Sequence, residues 1–371
     1  MNSPPTNAAP KKILVYLFGS LGDNIVAIPA MRAVRRYFSN AEIVVLQNVQ
    51  AAMPVRAEEV IPPELANRYL TYTSDVGSVG NIWQMFRLWR RIRQERSDAA
   101  VYLVTSERPE KSVNRDLAFF RRCGIKDLYG FHAFSKADLF PVDAAGRPAE
   151  VPHEAERRLD RIARDGIPTE ENDLATPLVR FQGSETEEMV SWLAGHRQRP
   201  AARLVALAPG CKTKANQWPE ENFSELVRRL DRDDGIEIVL VGGQAEVETA
   251  RRLGLQLNAT GELSVRQSGA LLSLCDGYIG LDTGSTHLAA AAGTPCFSIY
   301  GERNNQGQWF PLGISHMTLF HPTECAGCRY EVCPISDHPC IRGIGVDDVW
   351  PHLQEFFSTL GTERPSRVIS V

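Results

Sequence analysis

Lys12-Ile13-Leu14-Val15-Tyr16-Leu17, followed at once by Phe18-Gly19-Ser20-Leu21-Gly22-Asp23, decides how the rest of the chain is read. The first six residues are a β-branched apolar run, the signature of a buried strand. The two glycines after it mark a sharp turn. A helical pattern then covers residues 23–38, and 41–46 reads as the next strand. This is the strand–turn–helix–strand unit of a parallel sheet.

The same alternation continues outward. Residues 81–96 form an amphipathic helix with a basic face, 99–104 a strand, 112–123 a helix and 127–131 a short strand. The stretch 140–182 is rich in Pro, Gly and charge, with a helix at 154–164. It is read as the last helix of the first domain plus a linker, or alternatively as a surface insertion in one larger domain. Strand and helix then alternate again: 203–208, 219–230, 236–241, 245–255, 278–281, 285–292 and 296–300. Ser264-Val265-Arg266-Gln267 is a capping box that opens a helix to 274. A last helix covers 346–360. The fold class is therefore α/β, with two doubly wound Rossmann-like domains. The first spans 11–180 and the second 181–345, followed by a C-terminal helix at 346–361 and preceded by a leader at 1–10 expected to be disordered. Tandem sheets of this kind face each other across a cleft at the carboxyl ends of their strands.

The 371 residues are 43% hydrophobic and 23% charged, with a formal net charge of −4. There is apolar material for two cores, and no overall positive field of the kind a nucleic-acid partner requires. No apolar run approaches the roughly 20 residues that span a bilayer. The N-terminus is polar and proline-rich, without the apolar core of a signal peptide. The expected location is cytoplasmic, where the eight cysteines would be thiols or metal ligands rather than disulfides.

Three loops carry candidate chemistry. Asp282-Thr283-Gly284-Ser285-Thr286-His287 follows a strand and opens a helix, so its free amides and hydroxyls suit a diphosphate; an ordinary helix cap would use the same residues. Ala208-Pro209-Gly210-Cys211-Lys212-Thr213-Lys214 offers a glycine, a hydroxyl and two ammonium groups to the same anion. At Gly19-Ser20-Leu21-Gly22-Asp23 the glycines allow a close backbone approach. Asp23 is placed either to cap the helix or to take a proton as general base, kept ionised by the helix N-terminus. Gly19-x-x-Gly22 lacks the third, offset glycine of the dinucleotide fingerprint, and no Walker loop, HExxH or nucleophile elbow is present.

In these segments the chain resembles glycosyltransferase family 9, the lipopolysaccharide heptosyltransferase-like enzymes. Gly19–Asp23 with Ile28-Pro29-Ala30-Met31-Arg32 resembles the family's opening G-x-x-G-D motif. Pro209–Lys214 with Trp218-Pro219-Glu220 resembles its phosphate loop, and Gly242-Gly243 ends a similar strand. Asp282–His287 with Leu288-Ala289-Ala290 resembles its most diagnostic motif. The resemblance implies a GT-B fold and inverting, metal-independent transfer from a nucleoside-diphosphate sugar to a glycan or lipid-linked glycan acceptor. It implies Asp23 as the base and Asp282–His287 as donor ligands. Asn216 stands where the family often has a lysine, leaving Lys212 or Lys214 to supply that charge. Two other readings stay open: a module that binds a nucleotide sugar without turnover, and a GT-B-like nucleotide-sugar epimerase.

Cys325-x2-Cys328-x4-Cys333-x6-Cys340 has the density of a structural zinc or iron site, or of a reduced or disulfide-linked loop. Arg87, Arg90, Arg91 and Arg93 share a basic helical face, read either as solvated or as a dock for an anionic acceptor or membrane surface. Lys111 and Arg115, just past a strand end, are the candidates for acceptor contact.

Overall fold

The computed structural model describes residues 10–49, 55–73, 80–144 and 146–371. Residues 1–9 of the expected leader lie outside these. The chain groups into two compact units, one of Met1–Ser135 with Ala155–Asp173 and one of Lys136–Glu154 with Leu174–Val371. It passes from one unit to the other three times, where the sequence suggested one boundary near 180.

The first unit is built on a five-stranded parallel sheet: β1 (Lys12–Phe18), β2 (Glu42–Asn48), β3 (Arg68–Tyr72), β4 (Ala99–Tyr102) and β5 (Asp127–Tyr129), in the order β3-β2-β1-β4-β5. Ile13, Leu14 and Val15 of β1 are fully buried, as expected of a central strand covered on both faces. Each contributes about 1.5–3 kcal/mol of burial. The order reverses between β1 and β4, which pair in register at Val15–Val101 and Tyr16–Tyr102. The carboxyl ends of those two strands therefore form the topological switch point, where open α/β sheets hold ligands.

The second unit carries β6 (Arg203–Leu207), β7 (Ile236–Leu240), β8 (Gly277–Leu281), β9 (Cys296–Tyr300), β10 (Met317–Phe320) and β11 (Arg367–Ser370), all parallel, in the order β11-β10-β9-β8-β6-β7. Its switch point lies between β6 and β8, paired at Leu207–Ile279. The C-terminal helix Val346–Thr359 buries Val349, Leu353 and Phe356 in this unit's core.

Strands read from the sequence are present within about two residues at each end. β3, β10 and β11 were not anticipated. β3 and β11 are sheet edges with mixed or exposed side chains, so neither period nor apolarity marks them. The helix expected at 23–38 is two helices, Leu21–Ile25 and Ile28–Tyr37, with Pro29 in the first turn of the second. Ser264 Oγ accepts the Gln267 N–H, and Gln267 accepts the Ser264 N–H in return, the expected capping box. The helix Ser184–His196 was not anticipated either.

Candidate active site

In the first unit, the loop leaving β1 holds Asp23 in place. Gly19 has φ +133°, and a Cβ there would lie 2.3 Å from Asp23 Cγ, so only glycine lets the carboxylate fold back over the turn. Ser20 donates to Asp23 Oδ2 through its N–H at 2.8 Å and its hydroxyl at 3.0 Å. Gly22 is buried beneath. Arg158 approaches from the helix Glu154–Ala163, with Nη2 3.5 Å from Asp23 Oδ1 and Nη1 donating to the Asp23 carbonyl at 2.6 Å. Asp23 thus caps its helix through one oxygen while its other oxygen faces a guanidinium.

Arg158 was missed from the sequence, although a signal was there. Arg158 and Arg161 fall on the same helical stripe as Ala155, Leu159 and Ile162, and all five are buried. Two arginines on an apolar stripe need built-in partners. Arg161 finds the Val104 carbonyl past the end of β4.

The expected acceptor residues Lys111 and Arg115 lie on the helix Glu110–Arg122 after β4, and both are exposed. Arg115 is engaged with Asp116, at 2.7 and 3.0 Å. Arg108 is the arginine set beside the Asp23 loop. Its guanidinium lies 4.7 Å above the Phe18 ring, and Nη2 reaches Asp116 at 3.4 Å.

In the second unit, the β6–β8 pairing brings the other two loops side by side. The turn after β6 is tied down by Gln217, which accepts from the Cys211 N–H and donates to the Pro209 and Trp218 carbonyls. The Cys211 thiol donates to the Asp282 carbonyl at 3.2 Å. Burial, then the Asp282 charge, pushes it up to about 12, so it is a protonated strut between loops and no nucleophile. Thr213 precedes a short turn, Lys214–Asn216, and both Lys212 and Lys214 are exposed. Asn216 donates to Asp282 Oδ2 at 2.7 Å, and Asn304 does so at 3.3 Å. Removal from water pushes Asp282 up to about 6, against the pull of Arg303 and the two amides.

Past Asp282, Thr283 caps the helix Gly284–Ala292. Thr286 is taken out of the expected anion cradle: it is buried, its N–H goes to Thr283 O, and its hydroxyl goes to Leu281 O. The first-turn amides of Gly284 and Ser285 remain to face an anion. Ser285 Oγ shares Tyr278 OH at 2.9 Å. His287 is buried, its ring 6.0 Å from that of Trp309. Gly242 and Gly243 lie just past β7, and the Gly243 N–H donates to Glu246 at 2.8 Å. A Cβ on Gly210 would lie 2.1 Å from Glu246 Cγ, so Glu246 fills the space between the β6 and β7 loops. No local pattern marks Glu246 for that place.

Cys325, Cys328 and Cys333 are half-buried and Cys340 is buried; all carry free thiols. The Cys340 thiol is pushed up to about 11 by burial, then by its three sister cysteines. The donor chemistry suits zinc or iron, yet among the described residues no three such groups converge as a metal site requires.

Two doubly wound sheets with polar loops at both switch points are the architecture of the GT-B fold. Comparison with known proteins agrees. The model of Glycosyltransferase family 9 (heptosyltransferase) matches residues 85–338. Lipopolysaccharide heptosyltransferase 2 of Salmonella typhimurium is 25% identical over 313 residues, 78% of this chain and 82% of that protein. Among solved structures, a family 9 glycosyl transferase from Veillonella parvula superposes with a TM-score of 0.72 at 15% identity, covering 94% of this chain and 97% of the other. The E. coli ADP-heptose lps heptosyltransferase II superposes with a TM-score of 0.64 at 21% identity, covering 94% and 99%. The chain belongs to glycosyltransferase family 9. It is a glycosyltransferase, which sets aside the binding-module and epimerase readings.

Proposed function

We propose that the protein transfers heptose from ADP-heptose to a lipid-linked lipopolysaccharide acceptor by a single inverting displacement, at the cytoplasmic face of the membrane. The observation that carries the donor half is the β6–β8 switch point, where the Lys212–Lys214 loop and the start of the Gly284–Ala292 helix lie side by side. An ADP leaving group would gain charge as the glycosidic bond breaks. Lys212, Lys214 and the amides of Gly284 and Ser285 are the groups suited to take it up, and preorganised donors of this kind supply several kcal/mol. The choice of nucleotide is supported by the E. coli relative, an ADP-heptose heptosyltransferase.

For the acceptor half, Asp23 takes the hydroxyl proton as that oxygen attacks the anomeric carbon. Ser20 and Arg158 orient the carboxylate, and Arg108, Lys111 and Arg115 are the cations available to an acidic acceptor. No metal is assigned to the displacement. Among the described residues no helix is long and apolar enough to cross a membrane. Contact with the bilayer is made, in this reading, by the protein's surface.

Thermal unfolding against ADP, UDP, GDP and NAD tests the donor. At about 100 times its Kd, ADP should add roughly 2.7 kcal/mol of apparent stability. A response to UDP or GDP in its place changes the donor, and a response to NAD alone, or to none, overturns the reading.

A further inference from the structure

The helix Gly80–Glu95 turns one stripe inward, with Leu88 and Ile92 buried against the first unit's sheet. At 100° per residue the opposite stripe carries Trp83, Phe86, Arg87, Arg90 and Arg93. A solvated stripe has no use for large aromatics, yet Trp83 is 67% exposed and Phe86 50%. The rings are ordered into a ladder: Trp83 lies edge-on to Phe86 at 6.3 Å, Phe86 stacks on Trp89 at 5.6 Å, and Arg93 closes it at 5.3 Å from the Trp89 ring. Trp89 Nε1 donates to the Arg122 carbonyl, which brings the basic end of the neighbouring helix Glu110–Arg122, with exposed Arg121 and Arg122, onto the same surface.

The charge of this face is one-sided. Among the described residues, Arg87, Arg90 and Arg93 meet no carboxylate within ion-pair distance. The helix's one acid, Glu95, is turned away and held by Arg68 and Lys12.

We propose that this face docks on an anionic lipid bilayer, with Trp83 and Phe86 inserted at the headgroup level and Arg87, Arg90 and Arg93 paired with lipid phosphates. Exposed aromatics beside unpaired arginines are what an interfacial helix needs, because the rings gain apolar burial while the guanidinium groups stay at the charged surface. Lipid fits better than a soluble anion, which would use the arginines and leave the two rings in water. The proposal deepens the membrane-facing part of the proposed function, naming the surface that makes the contact. Its test needs neither donor nor turnover, so it stands or falls separately from the transferase chemistry.

The full chain is sedimented with vesicles of phosphatidylcholine and with vesicles of phosphatidylcholine containing phosphatidylglycerol. Wild type should partition onto the anionic vesicles and largely remain free of the neutral ones. Arg87→Gln with Arg90→Gln should weaken partition about 25-fold, about fivefold per charge. Trp83→Ala with Phe86→Ala should weaken it by about tenfold or more, with loss of quenching by bromolipids. All four side chains are exposed, so far-UV circular dichroism and the response to ADP should match wild type. Three results would each overturn the proposal: wild type left free of both vesicle types, both double variants partitioning like wild type, or displacement of wild type from the vesicles by delipidated acidic core oligosaccharide, which would give the face to the acceptor instead.

Discussion

Asp23 and Asp282 each stand at a switch point, just past the end of a central strand, yet their surroundings differ in kind. Asp23 takes two hydrogen bonds from Ser20 and faces Arg158, while a fifth of its side chain still meets solvent. Asp282 is also only part-buried, and there the loss of hydration outweighs the opposing pull of Arg303 and of the Asn304 and Asn216 amides, pushing it up to about 6. The first arrangement suits a carboxylate that touches an acceptor. The second suits one that braces a loop against its neighbour while an anion binds next to it. Both are aspartates near the end of a central strand, so what separates them is the loop and helix residues packed against each.

The contrast breaks most visibly at Asp23. Asp23→Asn keeps the shape but loses the base, and kcat for heptose transfer should fall by about 10³-fold, within the usual range for general bases. The KM for the donor should stay near that of wild type. A kcat within about threefold of wild type would move the base elsewhere.

Asp282 gives a smaller effect, seen in stability rather than rate. Its folded-state value lies above its unfolded one, so between about pH 4 and 6 the native state holds the extra proton. Stability from this group is therefore present below about pH 4, declines as pH rises through 6 and is flat above. Asp282→Asn removes the ionisation and still accepts both amide bonds. Thermal unfolding should find it more stable than wild type by about 3 kcal/mol at about pH 8 and equal to it near pH 4. An equal difference at both pH values would mean that Asp282 does not titrate in this window.

The smallest change sharpens the Asp23 side. Ser20→Ala removes the hydroxyl bond and keeps the N–H bond, which should cost about 1 kcal/mol, read as a several-fold fall in kcat with the pH profile retained. A loss as deep as that of Asp23→Asn would make Ser20 part of the proton path.

Much of the fold was legible because buried parallel strands write themselves as short apolar runs, and β1, β6 and β9 are such runs. β3 and β11 were not, since an edge strand takes half its stabilisation from a partner and needs no apolar alternation of its own. At the site, the loop positions of Asp23, Cys211–Lys214, Gly242-Gly243 and Asp282–His287 could be read from glycines and polar residues at strand ends. Arg158 and Glu246 could not be placed. They reach their loops from segments about 135 and 36 residues along the chain, and only packing brings such distant groups together.

By itself, the amino-acid sequence determined the α/β class, the central strands, the turns that need glycine and the choice of Asp23 and Asp282 as carboxylates of interest. These follow from local rules: apolar period, φ > 0 at a turn, polar groups where a helix begins. The tertiary structure decided the strand order that makes two switch points, the withdrawal of Thr286 from the anion cradle and the different fates of the two aspartates. It also decided which face of the Gly80–Glu95 helix remains uncovered. Each of these depends on which distant side chains share a low-dielectric neighbourhood, and local spacing carries no record of that.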